Sequence, residues 1–186
     1  DLLLVKQRMD SIISFTADLQ LHVDISFVNM PDKSAKMGYK KGEPTKFSSE
    51  DFALIPKRGL DFSLEELFAH PFITVDRGPE IRNGKSYKMI NVIPTDKRAD
   101  FSIAALLIDT QNQRIVESEI NSRKNGSFTM TFQYEDYQKA LPNRVEVGFE
   151  IEKIKIPLSF MAKDTEVDRT QLKSDAVKTG KIFLYD

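Results

Sequence analysis

Two histidines and a few carboxylate pairs are the side chains of this sequence that could do chemistry. His22 and His70 lie far apart, and the chain has no cysteine, which excludes thiolate metal sites and Cys–His catalysis. His22 falls on the polar face of an alternating segment beside Asp24, and His70 follows a short helical segment, whose dipole favours a cation at that end. We therefore interpret both histidines as structural or solvated residues, without a metal site.

The carboxylate pairs carry no mark of general acid–base catalysis. They are Glu65 with Glu66, Glu117 with Glu119, and the single Asp51. Without known strand partners nothing marks one of them as an acid or a base, and we interpret them as parts of solvated faces. The glycines form no Walker-type loop, G-x-G-x-x-G or G-x-S-x-G motif. The sequence therefore predicts a protein that is not an enzyme and takes no cofactor. A hydrolase using a carboxylate in a pocket is the alternative, which an acid or base mutant that abolished ester or glycoside turnover would support.

Length and charge limit the remaining possibilities. The chain has 186 residues, of which 40% are hydrophobic and 30% charged, as expected for one folded domain over residues 1–186. Its 27 basic and 28 acidic residues nearly cancel, so no summed field draws it to nucleic acid. We expect a monomer with no nucleic-acid partner. Residues 161–186 are predicted to be a polar extension that ends in a last strand at 180–185.

Period-two alternation dominates the elements that must position any site. After a helix-like opening at residues 2–9, apolar and polar residues alternate from Phe15 to Phe27, which predicts a long half-buried strand. Residues 35–40 and 45–55 read as a hairpin around Gly42-Glu43-Pro44. Further strands are predicted at 87–93, 101–108, 115–120, 128–134, 145–151 and 153–160.

Helix and turn signals separate these strands. Ser63 and Glu66 have the spacing of a capping box, which predicts a helix at 64–70 that Pro71 terminates. Asn83-Gly84 and Asn125-Gly126 supply the positive φ of tight hairpins, residues 109–113 form a short polar loop, and 168–178 suit a loose helix. Pro157 lacks an amide hydrogen and places 153–160 at a sheet edge.

So many one-sided strands predict a mainly β fold, with one antiparallel sheet that curls into a barrel or half-barrel or splits into a sandwich. The two short helices are too few to cover the inner face, which favours an apolar pocket. For any single residue of that face, ordinary core packing is the alternative. The predicted lining is Leu19, Leu21, Val23, Ile25, Phe27, Met37, Tyr39, Phe128, Met130, Phe132, Val145, Val147 and Phe149.

The succession of these segments resembles the outer-membrane lipoprotein carrier (LolA-like), or lipoprotein-sorting, family of Gram-negative bacteria. The matching segments are residues 9–18, Tyr39-Lys40-Lys41 followed by Pro44, 52–62, 86–94, 107–109, 115–119 and 126–128. Each segment is short and degenerate, so the resemblance lies in their order and spacing over residues 1–150.

The resemblance implies an unclosed antiparallel β-barrel with helices covering its mouth. It implies a periplasmic protein, or an outer-membrane-anchored lipoprotein facing the periplasm, that binds lipoprotein or lipid acyl chains and meets membrane-associated donor and acceptor proteins. An envelope sensor or interaction domain with a filled cavity, either lipid-anchored or free, shares this fold and is the alternative. Because Asp1 already lies in a helical pattern, we expect a leader or tether upstream of it.

Lys41 departs from the family pattern. In the carriers an arginine stands directly before the proline that ends the second strand and helps to latch the lid, whereas here Gly42-Glu43 separates Lys41 from Pro44. Lysine cannot make the forked hydrogen bonds of arginine, so Lys41 is a candidate latch with altered chemistry. A cluster of basic residues has two interpretations, a rim that docks to anionic headgroups or to a partner, and a solvated hairpin whose lysines discourage edge pairing. The cluster consists of Lys33, Lys36, Lys40, Lys41, Lys46, Lys57 and Arg58.

Overall fold

A computed structural model describes residues 1–48, 65–123, 126–136, 139–150, 166–168, 170 and 179–185. Several predicted features lie outside these residues: the capping residue Ser63, most of the strand at 45–55, the strand at 153–160 with Pro157, and nearly all of the helix at 168–178. The predicted single domain over 1–186 stays a prediction.

The described residues form two helices and twelve strands. The helices are α1 (Leu2–Asp10) and α2 (Glu65–Phe68). The strands are β1 (Ser14–Ile25), β2 (Val28–Asn29), β3 (Lys33–Lys40), β4 (Lys46–Phe47), β5 (Phe72–Arg82), β6 (Lys85–Pro94), β7 (Phe101–Asp109), β8 (Arg114–Ser122), β9 (Gly126–Gln133), β10 (Arg144–Glu150), β11 (Glu166–Val167) and β12 (Thr179–Tyr185). Neither helix is long and apolar enough to cross a membrane.

All twelve strands belong to one sheet, whose order is β11-β2-β1-β12-β10-β9-β8-β7-β6-β5, with β3 paired to β1 and β4 to β3. Each pairing is antiparallel. Among the described strands, β5 does not pair with β4 or β11, so the sheet is open. The mainly β, antiparallel fold predicted from the alternation is confirmed, and so is the unclosed sheet that the resemblance implied.

Hairpin turns lie where the turn residues predict them. Asn83 and Gly84 have φ values of 51° and 75° between β5 and β6, the positive pair that a tight two-residue hairpin turn requires. Gln113, with φ of 50°, closes the loop between β7 and β8. Gly126 has φ of 80° at the start of β9, whereas Asn125, the other residue of that predicted turn, lies outside the described residues. The backbone conformations that the turn residues favour therefore determine how these neighbouring strands are connected.

Strand β5 was missed by the sequence prediction, which placed no strand between the predicted helix at 64–70 and Tyr87. A register shift between Asp76 and Gly78 interrupts its pairing with β6, and Gly78 has φ of 86°. The Gly78 amide donates to Asp76 Oδ1 at 2.8 Å. Such a bulge moves later side chains to the opposite face, which destroys the period-two pattern.

Phe27 was wrongly placed in the first strand. β1 ends at Ile25, and the pair Ile25–Val28 brackets a two-residue turn that contains Phe27. The side chain is nevertheless only 3% exposed and packs in the core. Its apolar character reflects burial beneath the turn, and not membership of β1.

Apolar side chains form two clusters. The first cluster comes from β1, β3, β9, β10 and the β1–β2 turn, and the second from β6, β7 and β8. Leu2 and Val5 of α1 and Leu67 of α2 belong to the second cluster, so both helices cover that half of the sheet. The predicted covering helices are therefore present, and they lie on the half of the apolar face that the predicted lining omitted.

Candidate ligand-binding face

One row of side chains crosses the inner face of five neighbouring strands. The strand registers join Ile90, Leu106, Ser118, Met130 and Val147 as successive cross-strand partners. Directly paired residues point to the same face of a sheet. This central row therefore links the second cluster, at Ile90 and Leu106, to the first cluster, at Met130 and Val147.

The structure brings most of the predicted lining residues together in the first cluster. Tyr39 is outside the cluster and stacks on Phe15 with ring centroids 5.2 Å apart, and the side chain of Phe149 is outside the described residues. The predicted residues found in or against the cluster are Leu19, Leu21, Val23, Ile25, Phe27, Met37, Phe128, Met130, Phe132, Val145 and Val147. Whether they contact a ligand stays a prediction.

Burial divides these residues into two kinds. Leu21 and Val147 are each 1% exposed and act as core. Val23, Phe128 and Phe132 are only partly buried, although they pack against the same cluster. Apolar side chains that keep exposed area on an inner face offer contact surface to an apolar ligand.

Ile120 and Phe132 define a seam, because each packs against both clusters and remains partly buried. Ile120 follows Ser118 by two residues on β8, and Phe132 follows Met130 by two residues on β9, so both share the face of the central row. The seam is therefore where the two halves of the apolar face meet, and both of its side chains keep exposed area.

Ser118 was missed as a site residue. It is 6% exposed, and its Oγ has no hydrogen-bond partner among the described residues. The sequence shows it only as a polar residue between Glu117 and Glu119. Its spacing of two from Ile120 was the available signal, since that spacing places both side chains on one face.

The second cluster was also missed as part of the inner face. Ala104, Leu106 and Ile108 of β7 alternate inward and are 0–1% exposed. Leu107, on the opposite face, is also 1% exposed, which explains why this strand reads as a continuous apolar run. Such runs predict a buried strand without saying which side faces a cavity.

Helix α1 is held at both ends by polar contacts with distant strands. Asp1 Oδ2 accepts a hydrogen bond from Lys88 Nζ of β6 at 2.8 Å. At the other end, Lys41 Nζ, just after β3, donates to the Asp10 backbone carbonyl at 2.8 Å. Between them, Arg8 Nη2 donates to the Lys139 carbonyl at 3.2 Å. The predicted latch residue thus lies at the C-terminus of the covering helix, where a cation is favoured.

Replacing Lys41 with methionine is expected to loosen α1 without unfolding the protein. The contact is exposed, so the free energy of unfolding should fall by less than about 1 kcal/mol. Amide hydrogen exchange of the last turn of α1 should become several-fold faster. Lys40→Met is the control, since Lys40 Nζ bonds Glu43 within its own turn at 2.6 Å and does not touch α1. Equal exchange rates in the two variants would contradict a latch.

The two histidines lie apart and have carboxylate neighbours. His22 Nδ1 is 2.7 Å from Asp32 Oδ1, a partner different from the predicted neighbour Asp24. His70 Nδ1 is 3.6 Å from Asp96 Oδ2. Hydrogen bonds from Arg98 hold the pKa of Asp96 far below its usual range. Within the described part of the chain no three His, Cys, Asp or Glu side chains group as a metal site.

Hairpin lysines meet acidic side chains instead of forming an uncompensated basic surface. Lys36 Nζ lies 3.2 Å from Asp18, and Glu43 accepts from Lys40 at 2.6 Å and lies 3.5 Å from Lys46. The hydrogen bond from Lys40 lowers the pKa of Glu43. These pairs favour the solvated-hairpin interpretation, while Lys57 and Arg58 lie outside the described residues.

Comparison with solved structures assigns this arrangement to a known fold. A crystal structure assigned as an outer membrane lipoprotein-sorting protein domain from Vibrio parahaemolyticus superposes with a TM-score of 0.51 at 13% identity, covering 99% of this chain and 88% of that one. The chain has a LolA-like fold. This result confirms the fold that the sequence resemblance implied.

Two further solved structures are similar to this chain at TM-scores below 0.5. A LolA superfamily protein from Nitrosomonas europaea has a TM-score of 0.47 at 8% identity, covering 98% of this chain and 90% of that one. A DUF1329 family protein from Desulfovibrio piger has a TM-score of 0.48 at 10% identity, with the same coverage of 98% and 90%. No family model and no curated protein matches the sequence.

Proposed function

We propose that this LolA-like chain is a periplasmic, non-catalytic binding protein that holds the acyl chain of a lipoprotein, or another lipid-like ligand, against its inner face. The observation that carries this proposal is the seam, where Ile120 and Phe132 face inward yet keep exposed area. The LolA-like fold supports the periplasmic location, and the proposal includes exchange of the ligand with membrane-associated donor and acceptor proteins. No chemistry is required of the site.

The physical basis of binding is removal of methylenes from water. Each buried CH₂ contributes up to about 0.8 kcal/mol, so affinity should rise steadily with acyl length until the seam is filled. Aromatic side chains such as Phe128 and Phe132 offer large contact areas for this purpose. A ligand bound in this way needs no buried charge, consistent with the apolar composition of both clusters.

The test has two stages. The protein is purified from its native periplasm and the extract analysed for lipids by mass spectrometry. The delipidated protein is then titrated with saturated monoacylglycerols of increasing length that compete with a fluorescent acyl probe. Binding that strengthens with length supports the proposal, whereas no extracted lipid together with no probe binding refutes it.

Replacing Phe132 with alanine is expected to weaken monoacylglycerol binding by about tenfold, since it removes ring contacts at the seam. Ile81→Ala is the matched control, because Ile81 on β5 is 73% exposed. The Ile81→Ala variant should bind monoacylglycerols with the same affinity as the unchanged protein. Equal losses in the two variants would show that the seam is not the binding surface.

A sensor or interaction domain with a filled interior is the second candidate. Leu3, Leu4 and Ile13 are 65%, 44% and 72% exposed around the ends of α1, and such apolar residues suit a protein contact. In that case the purified protein carries no lipid, and Phe132→Ala changes stability without changing any acyl affinity. The same titration therefore separates the two functions.

A further inference from the structure

We propose that the Ser118 hydroxyl donates a hydrogen bond to a neutral carbonyl, an ester or an amide, of the acyl ligand. This inference rests on the proposed function and adds the chemical class of the ligand's polar group. Nothing in the apolar lining by itself distinguishes an acylated molecule from a plain hydrocarbon.

The Ser118 hydroxyl is buried among apolar side chains and has no polar neighbour to bond among the described residues. Ser118 lies between Leu106, 1% exposed, and Met130, 8% exposed, in the central row. Its Oγ has no hydrogen-bond partner within the described parts of the chain. Because β8 is paired on both sides, the neighbouring backbone groups are engaged in the sheet ladders. A buried hydroxyl without a partner carries a desolvation cost, which a ligand acceptor would recover.

Ser118 also lies close to the seam where the acyl chain is proposed to bind. Ser118 stands where the central row passes from the second cluster to the first, two residues from Ile120 of the seam. An acyl chain lying along the seam would bring its first polar atoms or its methylenes past this hydroxyl. A carbonyl oxygen at the head of the chain is the acceptor that such a ligand can offer.

Charge argues for a neutral acceptor. An ionised carboxylate or phosphate in this apolar setting would need a cation to offset its desolvation. Lys88 is two residues before Ile90 of the central row, but its Nζ lies 2.8 Å from Asp1 Oδ2 and 2.8 Å from Asp76 Oδ2. The hydrogen bond from Lys88 lowers the pKa of Asp76, so the Asp76 carboxylate remains ionised beside the lysine. The lysine is thus already compensated.

The experiment compares two lipids that differ only at the carbonyl. Monopalmitoylglycerol carries an ester, and hexadecylglycerol is its ether counterpart of equal length. The unchanged protein should bind the ester about three- to tenfold more tightly, the range for one net hydrogen bond. Ser118→Ala should abolish this preference, because it should weaken binding of the ester and leave binding of the ether unchanged. Ser118→Cys should have the same effect, since a thiol has a similar volume but is only a weak hydrogen-bond donor. Ser102→Ala, at an exposed serine of β7, is the control and should keep the preference.

Each outcome has a definite meaning. Equal affinities of the two lipids for the unchanged protein, or an ester preference that survives in Ser118→Ala and Ser118→Cys, would overturn the inference and leave the proposed function standing. Binding of ionised palmitate that exceeds ester binding and depends on Ser118 would overturn the neutral acceptor. Binding of neither lipid to the unchanged protein would overturn the proposed function and this inference together.

Discussion

Replacing Asp109 with alanine is expected to lower the free energy of unfolding by about 3–5 kcal/mol, because it breaks a buried ionic network from one side. Asp109 ends β7 and is 1% exposed. Its Oδ2 accepts from Lys85 Nζ at 2.7 Å and from Asn112 Nδ2 at 2.8 Å, and its Oδ1 accepts from the Asn112 amide at 3.1 Å. Arg114 Nε, also nearly buried, lies 3.5 Å from Oδ2. Alanine leaves that guanidinium without its counter-charge.

A matched control is available in an exposed ion pair. Asp18 lies 3.2 Å from Lys36, and these side chains are 80% and 78% exposed. Asp18→Ala should change stability by less than about 0.5 kcal/mol, since surface pairs contribute little. Urea denaturation followed by circular dichroism measures both variants. A loss at Asp109 no larger than the loss at Asp18 would show that the buried network contributes nothing to stability.

The same network has a defined pH dependence. Burial raises the pKa of Asp109, but hydrogen bonds from Asn112 and Lys85 outweigh burial and leave the pKa below its usual value. The charged carboxylate therefore stabilises the fold above the unfolded pKa of about 3.9, and this contribution is lost as the pH falls through the lower, folded pKa. The stability difference between the unchanged protein and Asp109→Asn should be constant near neutrality and shrink below about pH 4. A difference that grows on acidification would contradict this sign.

The sequence predicted local structure well where a single period or a turn type decides it. The alternation around Leu19 and Leu21 specifies β1 because both residues face one apolar cluster. Asn83-Gly84 specifies its hairpin because few residue pairs accept two positive φ values. These features depend on nearest neighbours along the chain, which the sequence displays directly.

Long-range pairing could not be read in the same way. The last strand, β12, was predicted at residues 180–185, but its place between β1 and β10 depends on a contact between the two ends of the chain. The bulge between Asp76 and Gly78 hid β5, because it exchanges the two faces within one strand. Sheet order and register are set by tertiary packing that the alternation leaves open.

The candidate site shows the same limit. Alternation places Leu21 and Val23 on one face but cannot tell that the first is 1% exposed while the second keeps exposed area. The seam at Ile120 and Phe132 exists because two clusters meet there, and each cluster combines strands that are distant in sequence. The contact of Lys41 with the Asp10 carbonyl likewise spans two elements that only the fold brings together.

Replacing Leu21 with alanine is therefore expected to act on stability, with a loss of about 2–5 kcal/mol. Leu21 belongs to the first cluster and lies on β1 opposite Leu184 of β12, so the deleted methyl groups would leave a cavity where the two ends of the chain pair. Close-packed interiors relax only partly around such a deletion. Thermal and urea denaturation of the delipidated protein measure the loss.

Leu3→Ala is the control of identical chemistry, because Leu3 on α1 is 65% exposed and its truncation should cost less than about 0.5 kcal/mol. The comparison also separates core from ligand lining within the predicted set. If Leu21 lined a ligand site and did not belong to the core, Leu21→Ala would lower the affinity for acyl ligands. The delipidated Leu21→Ala protein would then be almost as stable as the delipidated Leu3→Ala protein. A large stability loss shared by both leucine variants would instead mean that α1 is packed more tightly than its exposure shows.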